Sequence, residues 1–311
     1  MPSFLDPDMA YLLGLIVGRG TIREISGLRQ LVIEYPFRSL EAKGIEKSFD
    51  TKDKILLSLD ETINRLGELT EVTPKKIASK SSVSIIIEST KFSLLWRNIN
   101  KLLKGKNSFR EMEVPEIFYE AEVEIKKEFL RGVSDVTGSI GTGGRDQAGR
   151  HRVYISILNE NWSLPIQICR LLQDELLGIP VNTIDWGHPN IRNGNVEEYN
   201  RGREQAWARE HQLKVYAEYF EPVGFRIIHK NEILKELAED NRKNFPGRKA
   251  KLCIPPKKRQ RQRCSHPEEN SEKLPVALRG KHCDSYWQVC LELGCKQFEK
   301  GKSLFGEEND I

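Results

Sequence analysis

The chain has 311 residues, of which 38% are apolar and 30% are charged, and its formal net charge is +4. This composition is typical of a soluble globular protein, and the length allows one large domain or two ordinary ones. The sequence has no apolar run of roughly 18 residues, and its acidic start lacks a basic region ahead of an apolar stretch, so neither a membrane span nor a secretory signal is expected. We therefore expect an intracellular, cytoplasmic protein.

The first predicted elements form a unit of mixed helices and strands. The segment Tyr11-Leu-Leu-Gly-Leu-Ile-Val-Gly-Arg-Gly-Thr-Ile22 is typical of an apolar helix that ends at glycine and leads into a strand. Hydrophobic periodicity then predicts a strand at 30–35, a helix at 52–66, a strand at 82–88 and a helix at 90–103.

A second unit repeats this design 118 residues later. The segment Phe129-Leu-Arg-Gly-Val-Ser-Asp-Val-Thr-Gly-Ser-Ile140 aligns with the first one, so that Gly14 matches Gly132 and Gly20 matches Gly138. Strand-like 152–158, helical 163–177, apolar 179–184 and the block 211–220 leading into 221–229 follow. Two matched copies at this spacing indicate an internal repeat.

Small residues would allow the two matched helices to pack closely against each other. Gly14 and Gly18 lie four residues apart and share one helix face, where they allow a second helix to approach closely. Gly132 offers the same opening in the second copy, although Val136 replaces the second glycine. An ordinary buried helix with a glycine stop would explain either copy alone, but the matched pair favours two helices packed at a central seam.

The two segments resemble the paired motifs of the LAGLIDADG homing-endonuclease family, and Val114-Pro-Glu-Ile-Phe118 resembles that family's linker into its second half. The resemblance covers about residues 5 to 235. It implies an α/β (α+β) fold of two pseudo-symmetric repeats, at 1–110 and 111–240, whose saddle-shaped antiparallel sheets contact double-stranded DNA. It also implies a self-sufficient monomer with an internal pseudo-two-fold axis. A basic extension that contains cysteine and histidine, 241–311, follows.

The resemblance also implies a metal site that this sequence lacks. In that family the last acidic residue of each motif binds a divalent metal, and this chain has Arg19 and Thr137 there. Magnesium is therefore expected only if the protein is an endonuclease. Asp135 is the catalytic candidate that remains, although a polar contact at the helix end is the favoured role. Arg19 is expected to neutralise a DNA phosphate in place of the metal.

Two further functions stay open. An active endonuclease of homing or restriction type would use acids that the motifs do not identify. Glu34 with Glu41-Ala-Lys43 echoes one nuclease pattern, but a solvated surface pair explains it better. A maturase-like RNA-binding protein is the other alternative, because the same surface would accept structured RNA.

Basic and amide side chains on predicted strands and loops are the candidates for DNA contact, since they suit guanine and adenine edges in the major groove. Each could equally be an ordinary surface residue. They are Arg23, Arg29, Gln30, Arg38, Arg145, Gln147, Arg150 and Arg152, with Lys75, Lys76 and Lys80 as phosphate contacts or a solvated loop.

The C-terminal extension carries sixteen Lys and Arg against six Asp and Glu between positions 241 and 304. Its paired prolines predict an extended basic arm that lies along phosphates; the arm's candidate contacts are Lys257, Lys258, Arg259, Arg261 and Arg263. Cys264, His266, His282 and Cys283 would supply a tetrahedral structural zinc site, with reduced, packed cysteines as the alternative. Cys169, on an apolar helix, is expected in the core.

Overall fold

The computed structural model describes residues 5–25, 27–49, 52–90, 94–143, 149–158, 161, 163–188, 210–250 and 252–255. None of the helices within these ranges is long and apolar enough to cross a membrane.

The first repeat is a helix followed by an antiparallel sheet with further helices on its inner face. Its elements are α1 (Pro7–Arg19), β1 (Gly20–Ile25), β2 (Leu28–Pro36), α2 (Phe37–Leu40), β3 (Ala42–Lys43), β4 (Ser48–Phe49), α3 (Lys52–Ser58), α4 (Asp60–Thr70), β5 (Lys75–Ala78), β6 (Ser82–Thr90) and α5 (Leu94–Leu102).

The second repeat follows a 3-10 turn at Glu116–Phe118 and has the same order of helices and strands, except that its described residues include no counterpart of α2, β3 and β4 between the second strand and the next helix. Its elements are α6 (Val123–Thr137), β7 (Gly138–Gly141), β8 (Arg152–Leu158), α7 (Ser163–Leu172), β9 (Thr183–His188), β10 (Glu210–Tyr216), α8 (Ala217–Phe220) and α9 (Ile228–Asn244).

The two sheets have the same topology and matching registers. The first sheet has the order β1-β2-β6-β5, and the second contains β7-β8-β10-β9. Gly20 pairs with Ile33, which pairs with Ile85; correspondingly, Gly138 pairs with Ile155, which pairs with Leu213. This correspondence confirms the predicted α/β architecture of two repeats, each with an antiparallel sheet.

Helices α1 and α6 pack against each other through their glycines. A Cβ atom on Gly14 would lie 2.1 Å from the backbone oxygen of Phe129, and one on Gly132 would lie 2.2 Å from that of Tyr11. Four residues later the contact is asymmetric, because Val136 fills the space above Gly18, where a Cβ would lie 2.5 Å from the valine methyl. Gly14 meets Gly132, and four residues later Gly18 meets Val136. Both helices therefore run in the same direction and end side by side, as predicted.

Local chemistry fixes the ends of these helices. The side chain of Asp6 accepts a hydrogen bond from the backbone N–H of Met9 at 2.8 Å, and Pro7 occupies the first turn, so α1 begins there. Gly20 and Gly138 end the two helices in extended backbone rather than in a left-handed turn. A glycine is needed at both positions because a Cβ would lie 2.5 Å from atoms of the preceding turn, Ile16 and Ser134 respectively.

The first repeat also contributes to the second sheet. Strands β3 and β4 form a short hairpin, and β3 pairs with β7, which extends the second sheet to the order β4-β3-β7-β8-β10-β9. Helix α9 holds this hairpin, since the Glu236 carboxylate accepts the backbone N–H groups of Ile45 and Glu46, each at 2.8 Å. The repeats are therefore joined by main-chain pairing as well as by the helix seam.

Several predicted elements differ in extent from the observed ones. The helix predicted at 52–66 is two helices, α3 and α4; at their junction the Ser58 hydroxyl bonds the carbonyl of Ile55, a local bond that competes with helix continuation. The helix predicted at 90–103 begins only at Leu94, because β6 continues to Thr90 in order to pair with Leu28.

Candidate nucleic-acid interface

The shared end of α1 and α6 carries an ion cluster that joins the two repeats. Arg19, the last residue of α1, donates to Oε1 of Glu210 in β10 at 2.8 Å, and Arg38 of α2 donates to the same oxygen. Arg19 and Glu210 are 7% and 5% exposed, whereas the Arg38 side chain is 27% exposed. Burial lowers the pKa of Arg19, and the Glu34 carboxylate opposes this shift. Two guanidinium groups thus share the Glu210 carboxylate, while the Glu34 carboxylate and the Arg110 guanidinium act on Arg19 from nearby.

The donor set at this end does not fit a divalent metal. The Thr137 hydroxyl is buried and donates to the carbonyl of Val133 at 2.7 Å. The Glu210 carboxylate is bonded by two arginines, which would repel a cation. Among the residues that the structure describes, no group of three or more His, Cys, Asp or Glu side chains is arranged to hold a metal ion.

Asp135 lies away from any accessible surface. It is fully buried; its Oδ2 accepts the Tyr11 hydroxyl at 2.7 Å and the backbone N–H of Arg226 at 3.2 Å. Burial raises the pKa of Asp135, and Lys230 opposes that shift. Asp135 thus makes polar contacts two residues before the end of α6, and its role stays a prediction. These contacts give the carboxylate no route to a substrate.

The outer face of the first sheet, here called face A, is the face turned away from the helix pair. Alternation along β2 turns Leu31, Ile33 and Tyr35 inward, so Gln30, Val32 and Glu34 point outward. Gln30 donates to Glu88 at 3.1 Å, and Lys75 bonds the other oxygen of Glu88 at 2.7 Å. The registers place these further side chains on face A: Thr21, Arg23, Ser84, Ile86 and Ile77.

The corresponding face B of the second sheet is more polar. Arg152 donates to the Tyr216 hydroxyl at 3.0 Å and stacks over the Tyr216 ring at 4.7 Å. Lys214 forms an ion pair with Asp185 and lies 6.0 Å from the centre of the Tyr154 ring. The registers add these side chains to face B: Ser139, Ser156, Gln212 and Thr183.

Five of the predicted DNA contacts lie on the two faces or between them. Arg23 and Gln30 lie on face A, Arg152 on face B, and Arg19 with Arg38 at the cluster between the faces. Arg29 and Arg150 lie elsewhere. Arg29 is opposite Glu24 in the β1–β2 register, on the other side of the first sheet. Arg150 is only 2% exposed; it donates to Glu218 and stacks on Tyr216.

The remaining predicted residues are distributed as follows. Lys75 and Lys76 are ion-paired with Glu88 and Asp60, and Lys80 is exposed. Glu41 is half-buried, and Lys43 is exposed on β3. Cys169 is buried in the core, as expected.

Other predictions concern residues outside the described ranges and stay predictions. These are the loop candidates Arg145 and Gln147, the basic arm Lys257, Lys258, Arg259, Arg261 and Arg263, and the zinc candidates Cys264, His266, His282 and Cys283.

The sequence reasoning missed Glu210, the acidic partner of the central arginines. It lies 191 residues after Arg19, and no local pattern marks it. Lys214 and Gln212 were also missed, although alternation along 210–216 would have placed both on the outward side of a strand.

A scan against protein-family models and a search of curated proteins find no match for this chain. A variant of the homing endonuclease I-DmoI in complex with its target DNA in the presence of manganese is 16% identical, with a TM-score of 0.40, over 74% of this chain and 98% of that one. The LAGLIDADG meganuclease I-AabMI bound to uncleaved DNA is 12% identical, with a TM-score of 0.37, over 77% and 92% of the respective chains. The homing endonuclease I-GzeII in complex with its DNA target is 10% identical, with a TM-score of 0.34, over 76% and 92%. The fold that the paired glycine helices predict is confirmed by the chain's own topology, and these three solved structures, to which the chain is similar, are LAGLIDADG homing endonucleases.

Proposed function

We propose that this protein binds duplex DNA sequence-specifically through faces A and B, with the Arg19–Arg38–Glu210 cluster over the centre of the target. The observation that carries the proposal is the arrangement of two register-matched antiparallel sheets about one parallel helix pair. Antiparallel ribbons fit the major groove, where each base pair presents a distinct pattern of donors and acceptors. Two such ribbons related by a pseudo-dyad suit two half-sites on one duplex.

The central cluster suits a phosphate group. Three guanidinium groups lie near two carboxylates where the two faces meet, which leaves a positive excess there. The cations are Arg19, Arg38 and Arg110, and the acids are Glu210 and Glu34. A phosphate that replaces Glu210 would receive charge-assisted hydrogen bonds, and guanidinium geometry matches a phosphate oxygen pair well. Arg38, which is partly exposed, would make the first contact, and Arg19 would follow once Glu210 is displaced.

We infer further that the protein does not cleave DNA by a two-metal mechanism. That mechanism needs carboxylate oxygens to hold the metals on both sides of the reacting phosphate. At the helix ends this chain offers a buried arginine, a buried threonine hydroxyl and a carboxylate in an ion pair. We take the active form to be a monomer inside the cell, since one chain supplies both faces and the partner is DNA.

Selection from a random duplex pool tests the proposal. The full chain should enrich a site of defined sequence, and the selected duplex should remain uncut and un-nicked with Mg²⁺ or Mn²⁺. Metal-dependent nicking at the centre would instead favour the endonuclease alternative. Structured RNA that displaces the selected duplex at equal concentration would favour the maturase-like alternative.

Arg19→Asp supplies the variant for the central contact. The substitution places two acids together and should weaken binding of the selected duplex at least tenfold, since one phosphate contact is lost and one repulsion is added. Glu218→Gln is the matched control, because it breaks a different buried arginine pair, Arg150–Glu218, away from the cluster. Unchanged affinity in Arg19→Asp would remove the cluster from the proposed interface.

A further inference from the structure

Face A carries an aliphatic patch on the side of a sheet that ordinarily faces water. Val32 and Ile86 lie directly opposite each other in the β2–β6 register, and Ile77 lies diagonally next to Ile86 on β5. Val32 and Ile86 are partly exposed, and Ile77 is 54% exposed. The open face of an antiparallel sheet is normally polar, so clustered exposed aliphatic residues there indicate a contact surface.

The second repeat has different chemistry at the same positions. Aligning the registers at Ile33 and Ile155 matches Val32 with Tyr154, Ile86 with Lys214 and Ile77 with Asp185. A phenol, an ammonium group and a carboxylate thus replace three aliphatic side chains. The patch is not a requirement of the fold, because the fold forms equally well in the second repeat without it.

The neighbours of the patch identify its occupant. Gln30 is the outward residue of β2 just before Val32. The Glu88 carboxylate accepts a hydrogen bond from the Gln30 amide and also forms an ion pair with Lys75. A glutamine amide reads the N6 and N7 edge of adenine, and an aliphatic side chain contacts the C5-methyl of thymine. An amide beside an aliphatic pair therefore suits consecutive A·T pairs in the major groove. On face B, Arg152 stands in the position of Gln30, and arginine suits guanine.

We infer that Val32, Ile86 and Ile77 of face A contact the thymine methyl groups of one half-site of the target. This inference rests on the proposed DNA binding and adds the identity of the bases. The half-site under face B lacks these methyl contacts and carries guanine opposite Arg152. If the experiment contradicts this inference, a protein partner is the remaining explanation for the patch.

Thymine-to-deoxyuridine substitution in the selected duplex tests the inference, because it deletes one methyl group and changes no hydrogen bond. Each contacted methyl should contribute about fourfold to affinity, as expected for one buried methyl-sized group. The losses should fall in one half-site only. Val32→Ser, which removes both methyl groups of the side chain, should abolish the loss at one thymine position in that half, while Tyr154→Phe at the matched position of the second repeat should leave every loss unchanged.

The outcomes separate the two proposals. Selection that enriches no duplex overturns the DNA-binding proposal and this inference with it. A selected duplex that tolerates every deoxyuridine substitution overturns this inference alone. Equal losses in both half-sites, or losses that persist fully in both Val32→Ser and Ile86→Ser, also overturn it. The deoxyuridine series on the unaltered protein decides the matter if a variant does not fold.

Discussion

Position by position, the first repeat carries Arg19, Val32 and Ile86 where the second carries Thr137, Tyr154 and Lys214, whereas both hold glycine at the helix crossing and isoleucine on the inward side of the second strand. The inward positions are constrained by packing, because each must fill space between a sheet and the shared helix pair. The outward positions are free to differ. The likeness between the repeats therefore marks what the fold requires, and the difference lies on the two faces that we propose to contact DNA.

The largest effect is expected where the repeats are most alike. Gly14→Ala adds a Cβ that would lie 2.1 Å from the Phe129 backbone oxygen, so the helix pair must separate. We expect a loss of about 4 kcal/mol in the free energy of unfolding, since backbone cannot yield as a side chain tip can. Urea unfolding followed by circular dichroism measures this.

Gly132→Ala should cost about as much, and Gly141→Ala is the control. A Cβ on Gly141 would meet only the Lys43 carbonyl oxygen, at 3.9 Å, so that variant should change stability by less than about 1 kcal/mol. Equal stability of Gly14→Ala and Gly141→Ala would contradict the close seam.

The same seam shows how far the sequence could be read. The glycines predict the helix pair because their spacing is local, and the alternation of apolar and polar residues predicts the inward and outward sides of β2 and β8. Glu210 could not be anticipated, because its partners lie 191 and 172 residues away and any acid in the second repeat was an equal candidate. Arg150 was misjudged as a surface contact for a related reason, since the side chains that bury it come from α8 and the end of β10.

The next effect concerns the centre, where the repeats differ most in charge. Glu210→Gln keeps a hydrogen-bond acceptor for Arg19 and Arg38 but removes the charge that neutralises them. We expect stability to fall by about 2 kcal/mol and duplex affinity to rise about tenfold, because a phosphate no longer competes with a carboxylate. Fluorescence anisotropy of a labelled selected duplex measures the affinity.

Glu218→Gln gives the comparison for this variant. It should lower stability to a similar extent by leaving the buried Arg150 without its ion pair, and it should leave duplex affinity as it was. If both variants changed duplex affinity in the same direction, the central cluster would only stabilise the fold and would not contact DNA.

A third prediction concerns a buried lysine found in the second repeat. Lys230 donates to the carbonyls of Ser134, Asp135 and Gly138 at 3.1, 3.1 and 2.8 Å, at the end of α6. Burial lowers the pKa of Lys230 to about 7, and the Asp135 carboxylate opposes that shift. From pH 7 up to the ordinary lysine range, the unfolded chain holds a proton that the folded protein has released. The free energy of unfolding should therefore rise with pH in this window, by at most about 1.4 kcal/mol per pH unit.

Urea unfolding from pH 7 to pH 10 measures the slope. Lys230→Met should flatten it, because the titrating group is gone. Lys126→Met removes another buried lysine, one that is paired with Asp174 at 2.8 Å, and keeps Lys230, so the slope should survive there. A slope that is the same in Lys230→Met and the unaltered protein would assign the pH dependence to other groups.

The smallest effect separates the two sides of a single hairpin. Arg23 pairs with Gln30 on face A, whereas Arg29, opposite Glu24, lies on the other side of the same two strands. Arg23→Ala should weaken duplex binding a few-fold and reduce the salt dependence of log K by about one unit, because one positive charge in contact with the duplex is lost. Arg29→Ala should change neither quantity, although both substitutions remove one positive charge from neighbouring positions. If only the total charge mattered, both variants would lose the same duplex affinity, and the hairpin would merely add positive charge. A loss in Arg23→Ala alone would show that the duplex lies against face A.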